Sequence, residues 1–532
     1  MAAPSRSRFA SFQPILGLWL SFLACSLIRA PIPAVNEPHY LVKARHYWQP
    51  EWCRGDLFLE SANPHVVFYQ TIGWLPATLP FEYAALIGRI LVLLLLAIGW
   101  DRMLSQILCG RWSSVAAAWL FLLLQACGNF AGEWLVGGVE SKVVAYALVM
   151  WGCGALLAGR LNTGGALLGA AVSFHPVVGA WCIICLAGAA VLRGIVDRRR
   201  PMSADTTRSL GPLIRNFVPA IGCGFACSLP GLIPAAKMLT SADPATTLRA
   251  DILMVAVRLD HHLDPYMFPW RAYAYYAAMI VAWLIARRMV AATRASLWLD
   301  AFTWIAIAVA VLGWLAAAGP RPVTYLPWME WRIKLLKLYP FRIADLAVPF
   351  TLAVSITQLA SARIAGGVSL LRATIVAGGF AAAFVAALLW PGVDKNPSRM
   401  SPQMRADWIA ALGWVAAKTP HDCVLWTPDE DWAVKWFAER PEYVNFKDCP
   451  QDARGTIDWY ERRVLLADWK RAAAGDGVFT AAEFADLHEK TGITHIVLSR
   501  MGPIEPLPVY QNGGFRVFAL ADLEAESLLL PR

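Results

Sequence analysis

The stretch from Glu51 to His65 concentrates ionisable groups in a chain that is only 16% charged. Its acids Asp56 and Glu60 are four residues apart, so a helix would place both carboxylates on one face. A carboxylate in such a position can act as a general base towards a hydroxyl group. The alternative is a solvated segment at a membrane surface, with its aromatic neighbours at the level of the lipid headgroups.

A second group of charges precedes an apolar run, in GEWLVGGVESK. It contains Glu133, Glu140 and Lys142, and acids in this place can orient a substrate or ligate a divalent cation. The pair of Glu140 and Lys142 equally fits the start of a helix, because an acid is favoured near the positive end of the helix dipole. Both interpretations place these residues where the chain enters the apolar run.

A third group, in VRLDHHLDPYMFPWR, gathers Asp260, His261, His262 and Asp264 within five residues. Imidazole and carboxylate groups can hold a metal, but neighbouring histidines point in different directions, so this segment alone does not close a metal site. We favour contact with a polar substrate over metal binding.

The fourth group is basic and lies in MEWRIKLLKLYPFRIAD. Its cations Arg332, Lys334, Lys337 and Arg342 are interleaved with leucines, which predicts an amphipathic segment at a membrane interface. Such cations can bind the phosphate of a substrate or the phosphates of anionic lipid headgroups. The sequence leaves both possibilities open.

Composition indicates which elements must position these four groups. The chain is 58% apolar with a mean hydropathy of +0.47, whereas ordinary soluble domains are roughly 45 to 50% apolar. This predicts an α-helical polytopic membrane protein. Apolar runs occupy residues 1–391, and residues 392–532 return to mixed polar sequence. We therefore predict a polytopic transmembrane domain over 1–391 and a separate domain, the tail, over 392–532.

Apolar runs recur along the first part at lengths that can cross a bilayer. The run 164–192 is interrupted by His175-Pro176, and because proline breaks the helical hydrogen-bond ladder, we predict two short helices that meet at His175. His175 is counted among the candidate substrate-binding residues. About eleven membrane helices are predicted, near 14–28, 82–100, 112–129, 143–158, 164–192 (two helices), 213–236, 271–286, 298–318, 343–360 and 373–391.

Charge predicts the orientation of these helices. Residues 1–391 contain 31 Lys+Arg against 17 Asp+Glu, whereas residues 392–532 contain 16 against 21. The arginines of the first part cluster in short loops, as in Arg198, Arg199 and Arg200, so we interpret the basic balance as membrane topology rather than nucleic-acid binding. We expect the cell (inner) membrane, a cytoplasmic N-terminus with a retained first helix, and the four groups and the tail outside.

The tail alternates helix-like and strand-like segments, which predicts a small extracytoplasmic α/β domain with a largely parallel sheet. Helix-like segments include WIAALGWVAA and TIDWYERRVLLADW, and strand-like segments include CVLWTP, EYVNF, ITHIVLSR and FRVFAL. The tail has two cysteines, Cys423 and Cys449. They could form a disulfide if the tail faces an oxidising compartment.

This layout resembles the GT-C superfamily of polytopic membrane glycosyltransferases. The shared features are about a dozen helices, a long acidic first external loop, a second acidic loop, short broken helices midway and an external C-terminal α/β domain. Members place a DD, DE or ExD-like acidic signature in the first loop. The nearest counterparts here are Asp56 and Glu60 in DLFLE, which has no adjacent acids.

The resemblance implies inverting transfer of a sugar from a polyprenyl-phosphate donor to a glycan, lipid or protein acceptor at the outer membrane face. Asp56 would be the general base, Glu60 or Glu140 would position the substrate, and cations would assist the leaving phosphate. Some relatives use a divalent cation, so the resemblance leaves metal dependence open. Membrane lipids are expected as further partners.

Two other classes of function are alternatives. A transporter or flippase of a lipid-linked or envelope substrate usually carries ionisable groups near the bilayer midplane and often has repeated halves. The sequence shows neither feature. A noncatalytic envelope scaffold would leave the loop acids on separate surfaces, whereas an enzyme would gather them around one cavity.

Overall fold

The structure is a computed structural model that describes residues 8–62, 64–198, 210–475 and 477–520. Arg199 and Arg200, which belong to a cytoplasmic loop in the predicted topology, lie outside the described residues. The helices are α1 (Arg8–Arg29), α2 (Glu37–Trp48), α3 (Leu57–Glu60), α4 (Val66–Thr71), α5 (Leu75–Thr78), α6 (Phe81–Leu104), α7 (Ser113–Cys127), α8 (Ser141–Leu157), α9 (Leu161–Phe174), α10 (Pro176–Arg198), α11 (Leu210–Leu239), α12 (Pro244–Leu253), α13 (Asp260–Leu263), α14 (Trp270–Arg288), α15 (Arg294–Ala317), α16 (Met329–Lys337), α17 (Arg342–Ala365), α18 (Leu370–Leu389), α19 (Pro402–Lys418), α20 (Val434–Ala438), α21 (Ala453–Ala473) and α22 (Ala481–Thr491). The strands are β1 (Leu425–Trp426), β2 (His495–Leu498), β3 (Tyr510–Gln511) and β4 (Arg516–Ala519).

The predicted apolar runs are all helical, and the predicted fold class is confirmed. Among the described residues, seven helices are long and apolar enough to cross a membrane, and these are α1, α6, α10, α11, α15, α17 and α18. The helices α7, α8 and α9 are shorter and also apolar, and the predicted run 271–286 lies within α14. The protein is therefore a multi-pass membrane protein, by the length and composition of its helices.

The predicted break at His175 is present. α9 ends at Phe174 and α10 begins at Pro176, with His175 in an extended conformation (φ −145°, ψ 94°). Because proline has no backbone N–H to continue the helical ladder, the chain changes direction at this point. His175 is buried where the two helices meet.

α9 is fixed by a close contact with α11 that only small residues permit. A Cβ atom at Gly165 or Gly169 would overlap the α11 backbone at Ala220 or Gly224. Small residues allow two membrane helices to approach until their backbones touch. Near the end of α9, the Ser173 hydroxyl donates a 2.7 Å hydrogen bond to the carbonyl of Cys227. The position of the α9–α10 break is thus held by α11.

The sheet of the tail differs from the prediction. Its order is β1-β2-β4-β3; β1 and β2 are parallel, whereas β2 and β4, and β4 and β3, are antiparallel. A largely parallel sheet was the wrong expectation, because the chain after β2 returns through β3 to β4 without a crossover helix. The segment EYVNF contributes only an isolated bridge, between Glu442 and Leu425.

Cys423 and Cys449 are free thiols. Cys423 packs in the core with Trp408 and Leu412, whereas Cys449 belongs to a second core around Trp459. The two cysteines therefore lie in separate cores, and the disulfide considered from the sequence is not formed.

The tail packs directly on the loop between α1 and α6. Trp436 of α20 stacks on Phe81, with ring centroids 4.8 Å apart, and donates a 2.9 Å hydrogen bond from Nε1 to Glu82. Arg45 of α2 forms a 3.1 Å ion pair with Glu439. Aromatic stacking and charge pairing thus join the tail to the start of a membrane helix.

Candidate functional site

The first loop is anchored by a buried ion pair. Glu37 accepts hydrogen bonds of 2.7 and 2.6 Å from Arg89 of α6, and both side chains are fully buried. The same carboxylate accepts from the backbone N–H groups of Ala34 and Val139. A buried charge must be paired and fully hydrogen-bonded to be tolerated, and here the pairing joins the first loop, α6 and the second loop.

The second loop and the start of α17 bring four charged side chains together. Lys142 Nζ lies 3.6 Å from Glu133 and 3.2 Å from Glu140. Arg342 Nε lies 3.0 Å from Glu133. Glu133, Glu140 and Lys142 are each at most 5% exposed. We call Glu133, Glu140, Lys142 and Arg342 the central cluster; its two acids and two bases balance in formal charge.

Asp345, one turn after Arg342, positions Glu133. Its carboxylate accepts hydrogen bonds from the backbone N–H groups of Phe130 (3.0 Å), Ala131 (2.8 Å) and Glu133 (3.3 Å). Carboxylates that accept several backbone N–H groups hold a loop in one conformation. α17 therefore supplies Arg342 to the central cluster, and through Asp345 it also fixes the loop that carries Glu133.

Glu140 is oriented by side chains rather than by its own helix. It is the N-cap residue of α8, yet its carboxylate makes no capping hydrogen bond. Asn36 Nδ2 donates to Glu140 Oε1 over 3.3 Å, and Lys142 lies beside Oε2. Among the described residues, no backbone group binds this carboxylate. An acid at an N-cap position ordinarily accepts hydrogen bonds from the unpaired N–H groups of its helix. Glu140 makes no such bond, and its carboxylate points towards Asn36 and Lys142 instead.

Two buried histidines border the central cluster. Arg342 Nη1 lies 3.4 Å from Nε2 of His175, and the rings of His175 and His65 have centroids 4.9 Å apart. His65 Nδ1 lies 3.2 Å from the Ser141 hydroxyl. Burial lowers the pKa of His65 to about 3. The imidazole of His65 is therefore neutral near pH 7 and can accept as well as donate a hydrogen bond.

A second ionic group joins the first loop to the tail. Lys435 Nζ lies 2.7 Å from Glu442, 2.7 Å from Asp448 and 3.2 Å from Asp56. Asp448 also binds Nδ1 of His39 at 3.0 Å. We call Asp56, Lys435, Glu442 and Asp448 the tail cluster. Lys435 is its single cation, and the side chain is only 3% exposed. The charges of the three acids are therefore compensated by this one buried ammonium group.

Asp56 is engaged at both carboxylate oxygens. Oδ1 accepts from the backbone N–H of Leu59, which caps α3, and Oδ2 accepts from the backbone N–H of Glu442, both at 3.0 Å. Glu60 is exposed and accepts from the Gly55 N–H at 2.6 Å. Asp56 therefore holds the first loop and the tail together, whereas Glu60 lies apart from both clusters. The catalytic roles expected for these two acids stay predictions.

The residues of the third loop do not form one group. His261 is exposed beside Asp260, whereas His262 Nδ1 lies 2.7 Å from the carbonyl of Ala131 in the second loop. Asp264 forms a 2.7 Å ion pair with Arg321. His262 alone thus reaches a segment that carries the central cluster. Burial lowers its pKa to about 3, so its imidazole is neutral near pH 7.

The basic residues of the fourth loop separate in the same way. α16 is the expected amphipathic helix, with Lys334 exposed and paired to Glu330 at 2.6 Å. Arg332 Nη1 donates to the carbonyl of Ala318 at 2.8 Å, and Lys337 pairs with Asp251. Arg342 is the cation of this set that joins the central cluster. Lipid contact by the α16 cations and phosphate contact by Arg342 are therefore distinct expectations.

Sequence reasoning missed several residues that border the central cluster, chiefly Asn36, Tyr40 and His65. The Tyr40 hydroxyl lies beside Ser141, and its ring centroid is 5.5 Å from that of His65. One signal was available: Glu37-Pro38 has the proline of a helix start, and Asn36 directly precedes it as the N-cap residue of α2. The pairing of Asn36 with Glu140, 104 residues away, left no local pattern.

The sequence left binding of a metal ion open. Within the described ranges, no group of three or more His, Cys, Asp or Glu residues is arranged to hold a metal ion. The Asp260–Asp264 segment, the candidate from the sequence, is divided by the separate contacts of His261 and His262.

Glu442 gives the tail cluster a specific pH dependence. Burial raises its pKa to about 7, against an ordinary value of 4.5. The folded state therefore binds a proton more tightly, and the stability that this contributes is present below pH 4.5 and is lost as the pH rises through 7. Burial lowers the pKa of His39 below its ordinary value of 6.5. Below pH 6.5 this histidine therefore makes the stability of the folded state rise with pH, which is opposite to the effect of Glu442.

We therefore predict a difference between wild type and Glu442→Gln, because glutamine resembles the protonated acid and leaves His39 in place. The melting temperature of wild type minus that of Glu442→Gln should fall between about pH 4.5 and 7 and level off above. Thermal unfolding of the purified protein across this range measures it. A difference that is constant with pH would contradict the assigned proton.

The fold and the site define a multi-pass helical membrane protein with a buried ionic cluster where its long loops meet. A family model described as a domain of unknown function (DUF6798) matches residues 406–466, within the tail. No curated protein matches the chain.

Two solved structures are similar to the chain at low identity. The crystal structure of ArnT from Cupriavidus metallidurans bound to undecaprenyl phosphate has 13% identity and a TM-score of 0.47, over 97% of this chain and 99% of that one. A cryo-EM structure of a mutant of the arabinofuranosyltransferase AftD from mycobacteria has 14% identity and a TM-score of 0.48, over 98% of this chain and 42% of that one.

Proposed function

We propose that the protein is a membrane glycosyltransferase that moves a sugar from a polyprenyl-phosphate donor to an acceptor hydroxyl at the outer face of the cell membrane, with inversion. The convergence of two acids and two bases from separate loops at the central cluster carries this proposal. An enzyme of this kind needs a base for the acceptor and cations for the leaving phosphate. The central cluster supplies both kinds of group.

Glu140 is the proposed general base. Its carboxylate is buried and held by Asn36 and Lys142, not by backbone groups, so a substrate hydroxyl can replace one of these partners. Glu133 is the proposed positioning residue, since it contacts both Lys142 and Arg342. Asp56 was expected as the base from the sequence, but its oxygens both hold the fold.

The reaction is balanced without a further reactant. The acceptor oxygen forms a bond to the anomeric carbon, the bond from that carbon to the donor phosphate oxygen breaks, and the acceptor proton passes to Glu140. Arg342 and Lys142 stabilise the negative charge that develops on the leaving polyprenyl phosphate, because cations fixed in a water-poor site act strongly on developing charge. His65 and His175, which border the cluster, are proposed to contact the sugar or the phosphate.

The direct test is transfer by the purified protein. A panel of polyprenyl-phosphate-linked sugars is incubated with glycan, lipid and peptide acceptors, with and without EDTA. Release of polyprenyl phosphate with formation of a glycosylated acceptor supports the proposal, and sensitivity to EDTA would add a divalent cation. If no donor reacts but the lipid crosses the bilayer of reconstituted vesicles, the transporter alternative replaces it.

Binding of the lipid phosphate gives a second test. Arg342→Gln should weaken binding of polyprenyl phosphate at least about tenfold, since charge-assisted contacts to phosphate are among the strongest hydrogen bonds. Lys334→Gln removes an exposed cation of the same loop that is paired only to Glu330, and it is the matched control. Equal small losses in both variants would indicate that the loop binds headgroups and no specific phosphate.

The proposed site also requires one orientation. A reporter enzyme fused after residue 395 should be active outside the cytoplasm, whereas a reporter at residue 200 should be active inside, because arginine-rich short loops stay in the cytoplasm. Measuring both fusions with reporters of opposite compartment preference checks the result. A cytoplasmic tail would remove the central cluster from the outer face and refute the proposed reaction there.

A further inference from the structure

A groove lies between the tail and α12, and none of its lining residues belongs to either ionic cluster. It has a volume of about 650 Å³ and lies between α12, α21 and α22. Pockets of roughly 300 to 1,000 Å³ are typical of small-molecule sites. Its lining includes the apolar residues Val464, Leu465 and Ala472 and the aromatic residues Tyr460 and Trp469.

The aromatic residues of the groove are held in place. Trp469 is only 8% exposed, packs against Trp426 and Phe484, and donates from Nε1 to the carbonyl of Glu483 at 3.2 Å. Tyr460 is half-buried at the edge of the same core. No hydrogen bond of its hydroxyl is formed among the described residues. The groove thus presents an apolar ring together with a free hydroxyl group.

Four of the five charged residues of the groove are paired with one another, and the fifth, Asp468, pairs with Arg471 outside the lining. Arg249 of α12 binds Glu461 of α21 at 2.9 Å, and Lys490 binds Asp486 within α22 at 2.7 Å. With Asp468, the lining has three acids against two bases. Charge complementarity determines which charged partners a surface accepts, and this nearly balanced lining favours neither an anion nor a cation. The net negative tail further disfavours an anionic polymer.

From these observations we propose that the groove binds a neutral oligosaccharide. Sugar rings have apolar faces that pack on aromatic side chains, and their hydroxyl groups can bond with carboxylates, ammonium and guanidinium groups at the rim. A groove whose lining combines aromatic residues with charges that are already paired suits a neutral ligand rich in hydroxyl groups. This site is separate from the central cluster and does not depend on the proposed transfer reaction.

The test uses the full-length protein in a detergent without a sugar headgroup, because a maltoside detergent would itself occupy a glycan site. Maltohexaose, cellohexaose and mannohexaose are the neutral probes, and oligogalacturonate is the acidic probe, with affinity measured by calorimetry. We expect at least one neutral probe to bind and the acidic probe to bind more weakly. Binding of the acidic probe alone, or of no probe, overturns the proposal.

Variants locate the binding. Tyr460→Ala should weaken the neutral probe at least about tenfold, whereas Tyr460→Phe keeps the ring and should retain most of the affinity. Tyr325→Ala removes an exposed tyrosine in the fourth loop, 68% exposed, and should bind as wild type does. Unchanged binding by Tyr460→Ala would contradict the groove as the site. Thermal unfolding of each variant shows whether the fold is retained.

Discussion

Replacing Glu140 with Gln should lower the rate of sugar transfer by about 10² to 10⁴, the usual contribution of a general base. Glutamine keeps the size of the side chain and can still contact Asn36 and Lys142, but it cannot take the acceptor proton. The measurement is turnover of the donor that proves active, with wild type and variant compared at the same pH.

Three further variants make the assignment specific. Glu133→Gln should mainly weaken donor binding, because Glu133 positions Lys142 and Arg342. Glu60→Gln changes an exposed carboxylate and should turn over like wild type. Asp56→Asn should chiefly lower stability. If Asp56→Asn is stable and inactive while Glu140→Gln turns over normally, the base expected from the sequence is the correct one and Glu140 is not.

Replacing Lys435 with Met should destabilise the packing of the tail by about 3 to 5 kcal/mol, the range observed when one partner of a buried ion pair is removed. Lys435 is the single ammonium group among Asp56, Glu442 and Asp448, and its side chain is 3% exposed. Without it, buried carboxylates would lie close together with no compensating cation. Thermal unfolding and hydrogen exchange over residues 425–448 measure the effect.

A matched control and a rescue test this interpretation. Lys490→Met removes one partner of an exposed ion pair with Asp486, and such pairs contribute only about 0 to 1 kcal/mol. Adding Glu442→Gln to Lys435→Met should restore part of the lost stability, because it removes one of the uncompensated charges. Equal losses for both lysines, or no rescue, would show that the tail cluster does not hold the tail in place.

Local patterns in the sequence were sufficient to predict the long helices of the membrane part. Apolar runs mark these helices, and His175-Pro176 marks the break between α9 and α10, since both signals depend on neighbouring residues alone. The short helices between them, such as α3, α4 and α5, have no such run. The sheet was predicted less well. Its direction depends on how the chain returns after β2, and β3 has only two residues, which is too short for a periodic pattern.

The candidate site was predicted only in part, because its contacts join residues that are far apart in the sequence. Glu140, His175 and Arg342 were recognised as chemically capable residues, and they lie together in the structure. Asp56 and Glu140 look alike in sequence, since each is an acid that precedes a helix. What distinguishes them is their partners: Asp56 binds the backbone of Glu442 from a distant part of the chain, whereas Glu140 binds Asn36.

The helix α2 contacts both ionic clusters within its first turn. His39 pairs with Asp448 of the tail, while Asn36, at the N-cap position directly before the helix, binds Glu140. Two sites that share one short rigid element are coupled thermodynamically, and such coupling is reciprocal. Occupancy of the central cluster by a lipid phosphate should therefore change the affinity of the tail for the first loop, and release of the tail should change lipid affinity by the same factor.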